Sequence, residues 1–143
     1  MSFDLKIENF NLKIDKGDLV TVIDTEKLVQ DILKICLTPA GANPVQPWYG
    51  SFISKNTIGS TLSTSVIVEI GKSQLQTALD NLKSLQDLQL KGLQQLSAAE
   101  QISAISNISI IRNSINPSLF QIEITVLSKA LRPVKVSFGL SVI

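Results

Sequence analysis

Histidine is absent from this 143-residue sequence, and cysteine occurs once, as Cys36. Without histidine the chain lacks the commonest general base and the commonest metal ligand. Ser–His–Asp and Cys–His catalytic arrangements are therefore impossible. A zinc site built from cysteine and histidine is excluded as well. A lone cysteine forms no intrachain disulfide. Cys36 stands among Ile32, Leu33, Ile35 and Leu37, the setting of a buried, inert thiol. Neither GxGxxG nor a GxxxxGK phosphate-binding loop occurs. No run reaches the roughly 18 apolar residues that a membrane span needs. The opening MSFDLKIENF lacks the basic-then-apolar order of a secretory signal. The expectation is synthesis in the host cytoplasm, with export only inside a larger particle. Charge is scarce too, at 17% of residues, and 13 basic against 12 acidic side chains leave a net +1. The basic residues are dispersed, so no concentrated face is available to capture nucleic acid.

Carboxylate pairs are the catalytic chemistry left open. Most of the acidic residues have a structural role at hand. Asp15 and Asp18 flank a turn, Asp24, Glu26 and Glu100 suit helix starts, and Asp80 and Asp87 fall on a polar helix face. Glu69 alone keeps apolar company, among Val66, Ile67, Val68 and Ile70. Burial there would raise its pKa. No enzymatic activity is expected.

What is present is the material of one ordinary domain. Apolar residues make up 44% of the chain, and a domain of this length buries roughly 68–70% of its unfolded surface. Phe3, Leu5 and Ile7 alternate with polar residues, and Leu12 and Ile14 continue the pattern. Asp15-Lys16-Gly17-Asp18 is a turn signal, and Leu19 to Ile23 are β-prone. A short hairpin follows from this. Asp24 or Thr25 can cap a helix that carries Leu28, Ile32, Ile35 and Cys36 on one face. Pro39 and Gly41 end it. An irregular segment over 38–60 contains Pro39, Gly41, Pro44, Pro47, Gly50 and Gly59. A long helical region is predicted from about Ser63 to Leu96, with a break plausible at Gly71 or Gly92. Ser97 and Glu100 have capping-box spacing, so a short helix is expected to restart there. Beyond Ile105 the period is two again. Phe120, Ile122, Ile124 and Val126 form one alternating set, and Val134, Val136 and Phe138 another. Strands and helices segregate along the chain, which gives the α+β class with an antiparallel or mixed sheet. No internal repeat and no second domain stand out, so 1–143 reads as a single domain.

Two segments are candidate contact surfaces. Pro47, Trp48 and Tyr49 either pin the long loop to the core or face a partner, since aromatic anchors bury large areas while offering a polar handle. The terminal strand, with Val134, Val136, Phe138 and Leu140, invites strand addition if it lies at a sheet edge.

The stretch LTPAGANPVQPWYGS, Leu37 to Ser51, follows the helix EKLVQDILKICLTP. In that order it resembles the baseplate wedge and sheath-initiator family of contractile phage tails and related injection systems, a family sometimes labelled lysozyme-like. Nearly the whole element order matches. The acidic–Pro–Arg triplet that many members carry near the end of the long helix is missing. The resemblance implies a fold like the core of the tail-sheath subunit. It implies a structural protein of the virion tail baseplate that joins the wedge to the sheath and templates the first sheath ring by sharing β-strands. The implied partners are the tail sheath protein, other wedge subunits and central tube or hub proteins, with several copies around the tail axis. No cofactor, metal, nucleic acid or membrane is implied. Two other readings are a peptidoglycan-cleaving tail enzyme and a helix-mediated adaptor using the Leu75–Leu96 face.

Overall fold

A computed structural model describes residues 2–53 and 63–141. Six two-residue strands come first: β1 (Asp4–Leu5), β2 (Ile7–Glu8), β3 (Asn11–Leu12), β4 (Ile14–Asp15), β5 (Asp18–Leu19) and β6 (Thr21–Val22). Helix α1 (Asp24–Leu37) and helix α2 (Thr64–Lys91) follow. Three long strands close the chain: β7 (Ile102–Arg112), β8 (Leu119–Ser128) and β9 (Pro133–Ser141). They form an antiparallel meander in the order β7-β8-β9. Both helices lie on one face of this sheet, α2 against β7 and α1 against β9. The class is α+β, as the segregation of elements indicates.

Alternation along the strands decides which face is covered. Phe120, Ile122, Ile124 and Val126 on β8 are at most 2% exposed. They meet Leu28, Ile32, Ile35 and Cys36 of α1 and Leu75, Ala78, Leu79 and Leu82 of α2 in one core. The intervening Gln121 and Glu123 face solvent. The stripe of α2 is thus spent on the core as far as Gln86, and the well-exposed large apolar residues of the helix are Val66 and Leu88, near its two ends. That placement removes the free apolar helix face an adaptor would need.

Helix α2 runs through Gly71 without a break and ends at Gly92. Propensity predicts weakness at Gly71, but the helix packs closely against Ile110 of the sheet there. A Cβ at that position would stand 2.7 Å from Ile110 Cδ1. Burial of Ile67, Leu75, Ala78 and Leu79 on either side overrides the roughly 1 kcal/mol that glycine costs within a helix.

No helix restarts at Ser97. The residues from Ser97 to Glu100 form a turn that leads directly into β7. Half of the expected capping box is present, because the Ser97 amide donates to Glu100 Oε1 at 2.8 Å. The other half is diverted: Ser97 Oγ donates to Asp24 Oδ1 at 2.6 Å. Asp24, expected as a cap, therefore ties the start of α1 to this turn.

The N-terminal segment corrects the sequence reading most. It is two hairpins, closed by the pairing of its last strand with its first, rather than one hairpin, and it does contain an internal repeat. Read in sevens from Phe3, the chain is FDLKIEN, FNLKIDK and GDLVTVI. β2 pairs with β3, β4 with β5, and β6 returns to β1. Three backbone hydrogen bonds close the centre in a ring: Lys13 N to Lys6 O (2.9 Å), Val20 N to Lys13 O (3.0 Å) and Lys6 N to Val20 O (2.8 Å). The turns at Asn9–Phe10 and Lys16–Gly17 have positive φ at both residues, the geometry of tight type I′ hairpins. Gln30 of α1 clamps this unit to the body. Its amide donates to Leu5 O at 2.8 Å, and its oxygen accepts the Ile7 amide at 2.9 Å.

Candidate docking surfaces

The crossover after α1 is a loop closed at its base. Pro39 and Ser51 form a parallel bridge, with Ser51 N donating to Thr38 O (2.9 Å) and Ala40 N to Ser51 O (3.0 Å). Ser51 Oγ also donates to Cys36 O at 2.7 Å. Gly50 makes the closure possible. Its φ is +117°, and a Cβ on it would lie 2.4 Å from Thr38 O. A side chain does not fit that contact, so the closure of Thr38-Pro39 on Gly50-Ser51 needs glycine at position 50 for a steric reason.

Within this loop the three predicted contact residues have different fates. The Pro47 carbonyl accepts the Gly41 amide at 3.0 Å. Tyr49 packs on the core, and burial pushes its hydroxyl pKa up. Trp48 meets Tyr49 edge-on, with ring centroids 6.3 Å apart, yet stays 42% exposed. Tyr49 is therefore the pin, and Trp48 is the surface. Residues 54–62, which include Gly59 and the end of the predicted 38–60 segment, lie outside the described residues.

The terminal strand divides similarly. Val134 and Val136 are each 3% exposed and point into the core. Phe138 and Leu140 are half-buried at its margin. What β9 offers a partner is its backbone edge together with Phe138. The two edges of the sheet are not equivalent. β7 carries two register shifts, between Ile102 and Ala104 and between Ile105 and Asn107. Lys83 Nζ also donates to Ser103 O at 2.8 Å. Bulges and lysine contacts of this kind blunt an edge. β9 pairs with β8 over nine consecutive positions without a shift, and no strand among the described residues pairs with its outer side. A groove of about 610 Å³ adjoins that side. Its apolar lining comes from Ile7, Phe10, Leu33, Leu37, Pro39 and Phe138.

The acidic groups are arranged for structure. Glu69, predicted to lie in apolar company, is on the exposed side of α2. The buried carboxylate is instead Glu100, 1% exposed, whose Oε1 accepts from Ser2 Oγ at 2.8 Å and from the Ser97 amide. Sequence reasoning missed it because a capping-box glutamate ordinarily faces solvent. Asp4 and Asp31 line one cleft with Tyr49, but both are ion-paired with Lys34, and Asp31 also with Lys27 at 2.7 Å. Burial pushes the Asp4 carboxyl up, and hydrogen bonds from Lys34 and Gln30 with the Lys34 charge outweigh it, leaving the group below its ordinary value. Such a group holds no proton to give near neutrality. Cys36 is buried, and burial raises its thiol to about 12. No group of three or more possible metal ligands occurs among the described residues. No helix among them is long and apolar enough to cross a membrane.

No protein-family model matches the chain. No curated protein matches it either. Among solved structures it is similar to one described as a "putative tail lysozyme" from Geobacter sulfurreducens, with 11% identity over 82% of this chain and 90% of that one and a TM-score of 0.60. At that identity the likeness is one of fold.

Proposed function

We propose that this protein is a structural component of a contractile tail baseplate, where it joins the wedge to the sheath and templates the first sheath ring by accepting a strand along β9. One observation supports the reading: the regular edge of β9, unpaired among the described residues, lies beside an apolar groove, opposite a β7 edge that is bulged and carries a lysine on the Ser103 carbonyl. Strand addition draws affinity from backbone hydrogen bonds and specificity from pockets for alternate side chains. β9 supplies the first and the groove supplies the second. The likeness in fold to a tail protein and the Pro47-Trp48-Tyr49-Gly50-Ser51 element agree with it. The peptidoglycan-cleaving reading has less support, since the carboxylates that share a cleft are both bound to lysine.

Amide hydrogen exchange with purified sheath subunits tests the proposal. Amides within 134–141 should gain protection when the sheath protein is added. Phe138→Asp should weaken that protection and leave baseplates without a first sheath ring in electron micrographs. Unchanged exchange along β9 in a mixture that assembles normally would sink the idea.

A further inference from the structure

The register of the meander fixes which groups β9 leaves free. Ser128 N donates to Arg132 O at 3.0 Å, and the next pair along is Leu127 opposite Pro133. Backbone groups of successive residues in an antiparallel strand point alternately to its two sides. The even-numbered residues from Arg132 to Leu140 therefore bond to β8, and the amides of Lys135, Ser137, Gly139 and Ser141 face outward. Pro133 has no amide, which ends the row at that side. Side chains alternate as well. Val134, Val136, Phe138 and Leu140 lie on the helix-covered face, and Lys135, Ser137 and Ser141 lie on the open one.

The surroundings of this row differ along its length. The groove meets the strand at Ser137 and Phe138, where Leu33 and Leu37 of α1, Pro39 and Phe10 supply apolar walls. Val134 and Val136 are already closed over by the core. An added strand thus finds one apolar seat on the covered face, beside Phe138. Lys34 also lines the groove, but Asp4 and Asp31 hold its charge. On the open face Lys135 is exposed and forms no ion pair among the described residues. Positions 135 and 138 are three residues apart, and an odd spacing puts their neighbours in the added strand on opposite faces. We propose that β9 selects a strand with a large aliphatic or aromatic residue beside Phe138 and an aspartate or glutamate, three positions away, beside Lys135. This rests on the strand-accepting reading and deepens it by naming the chemistry of the strand. The two contacts divide the work. A slip of one residue turns the apolar side chain to the open face. A slip of two keeps the face but parts the acid from Lys135. The groove therefore sets affinity and face, and Lys135 sets the register.

Hydrogen exchange followed on both proteins, in a mixture of this chain with purified sheath subunits, locates the added strand. The sheath segment protected together with residues 134–141 should hold a large apolar residue three positions from an aspartate or glutamate. Changing that apolar residue to alanine should weaken binding more than about tenfold. Lys135→Glu, a change at an exposed position, should weaken binding about fivefold. Exchanging the acid of the sheath segment for lysine should restore it. Protection of β9 by a segment that lacks this pair overturns the inference and leaves strand acceptance standing. So does a Lys135→Glu variant that binds as well as the unchanged protein, or one that the exchanged sheath segment fails to restore. Absence of any protection along β9 removes the strand-accepting reading itself, and the inference with it.

Discussion

Gln86 substitutes for a neighbouring strand at Ile102. From the middle of the α/β interface its oxygen accepts the Ile102 amide at 2.8 Å, and its nitrogen donates to the Glu100 carbonyl at 2.8 Å. Gln86 is 4% exposed and Ile102 is fully buried. The start of β7 is therefore fixed by a side chain of α2. Gln86→Leu would keep the volume and strand both backbone groups. Each buried group left unpaired costs about 1–3 kcal/mol. A loss of roughly 2–4 kcal/mol is expected in urea unfolding, together with faster exchange of the Ile102 amide.

The closed loop gives a paired prediction. Gly50→Ala places a Cβ 2.4 Å from Thr38 O at a positive φ, whereas the same change at Gly41 meets nothing within 4 Å. Gly41→Ala should cost only the penalty of its positive φ, about 1 kcal/mol. Gly50→Ala should cost clearly more, because the Pro39–Ser51 bridge must open. Equal melting temperatures for the two variants would show that the bridge does not hold the loop.

Asp4 and Lys34 give a pH prediction. The Asp4 carboxyl lies below 3.8, because the Lys34 and Gln30 contacts outweigh burial. Its contribution is present above 3.8 and is lost as pH falls through the lower folded value. Burial depresses the Lys34 ammonium, while its bond to Asp4 and the Asp31 and Asp4 charges raise it above 10.5. That contribution is complete below 10.5 and is lost as pH rises through the higher folded value. Asp4→Asn should cost about 0.2–1 kcal/mol across the neutral range and should flatten the acid limb of a urea-midpoint profile. An unchanged acid limb would mean that the pair does not form.

The sequence displays some of this plainly and hides the rest for physical reasons. β8 was legible because one face is covered and the other is open, so alternation survives in Phe120, Ile122, Ile124 and Val126. The α1 stripe and the Lys16–Gly17 turn were legible for equally local causes. The three strand pairs of the N-terminal segment were harder to see, because two-residue strands look like one alternating run. A signal was there nonetheless. Seven is odd, so Leu5 and Ile7 fall out of phase with Leu12 and Ile14, and a straight strand would turn them to opposite faces. The helix expected at Ser97 failed because Asp24, distant in sequence, takes the Ser97 hydroxyl. The groove beside β9 gathers Phe10, Leu37 and Phe138 from three distant segments, and no local pattern announces it.

The unequal edges of the sheet also protect the molecule from itself. An open-ended fibre would need the β9 edge of one copy to meet the β7 edge of the next, repeated without closure. The bulges flanking Ser103 and Ser106 and the lysine on the Ser103 carbonyl break the hydrogen-bond register such a junction requires. Among the described residues the β9 edge thus has no matching edge on another copy, so its exposure does not by itself lead to open-ended self-association.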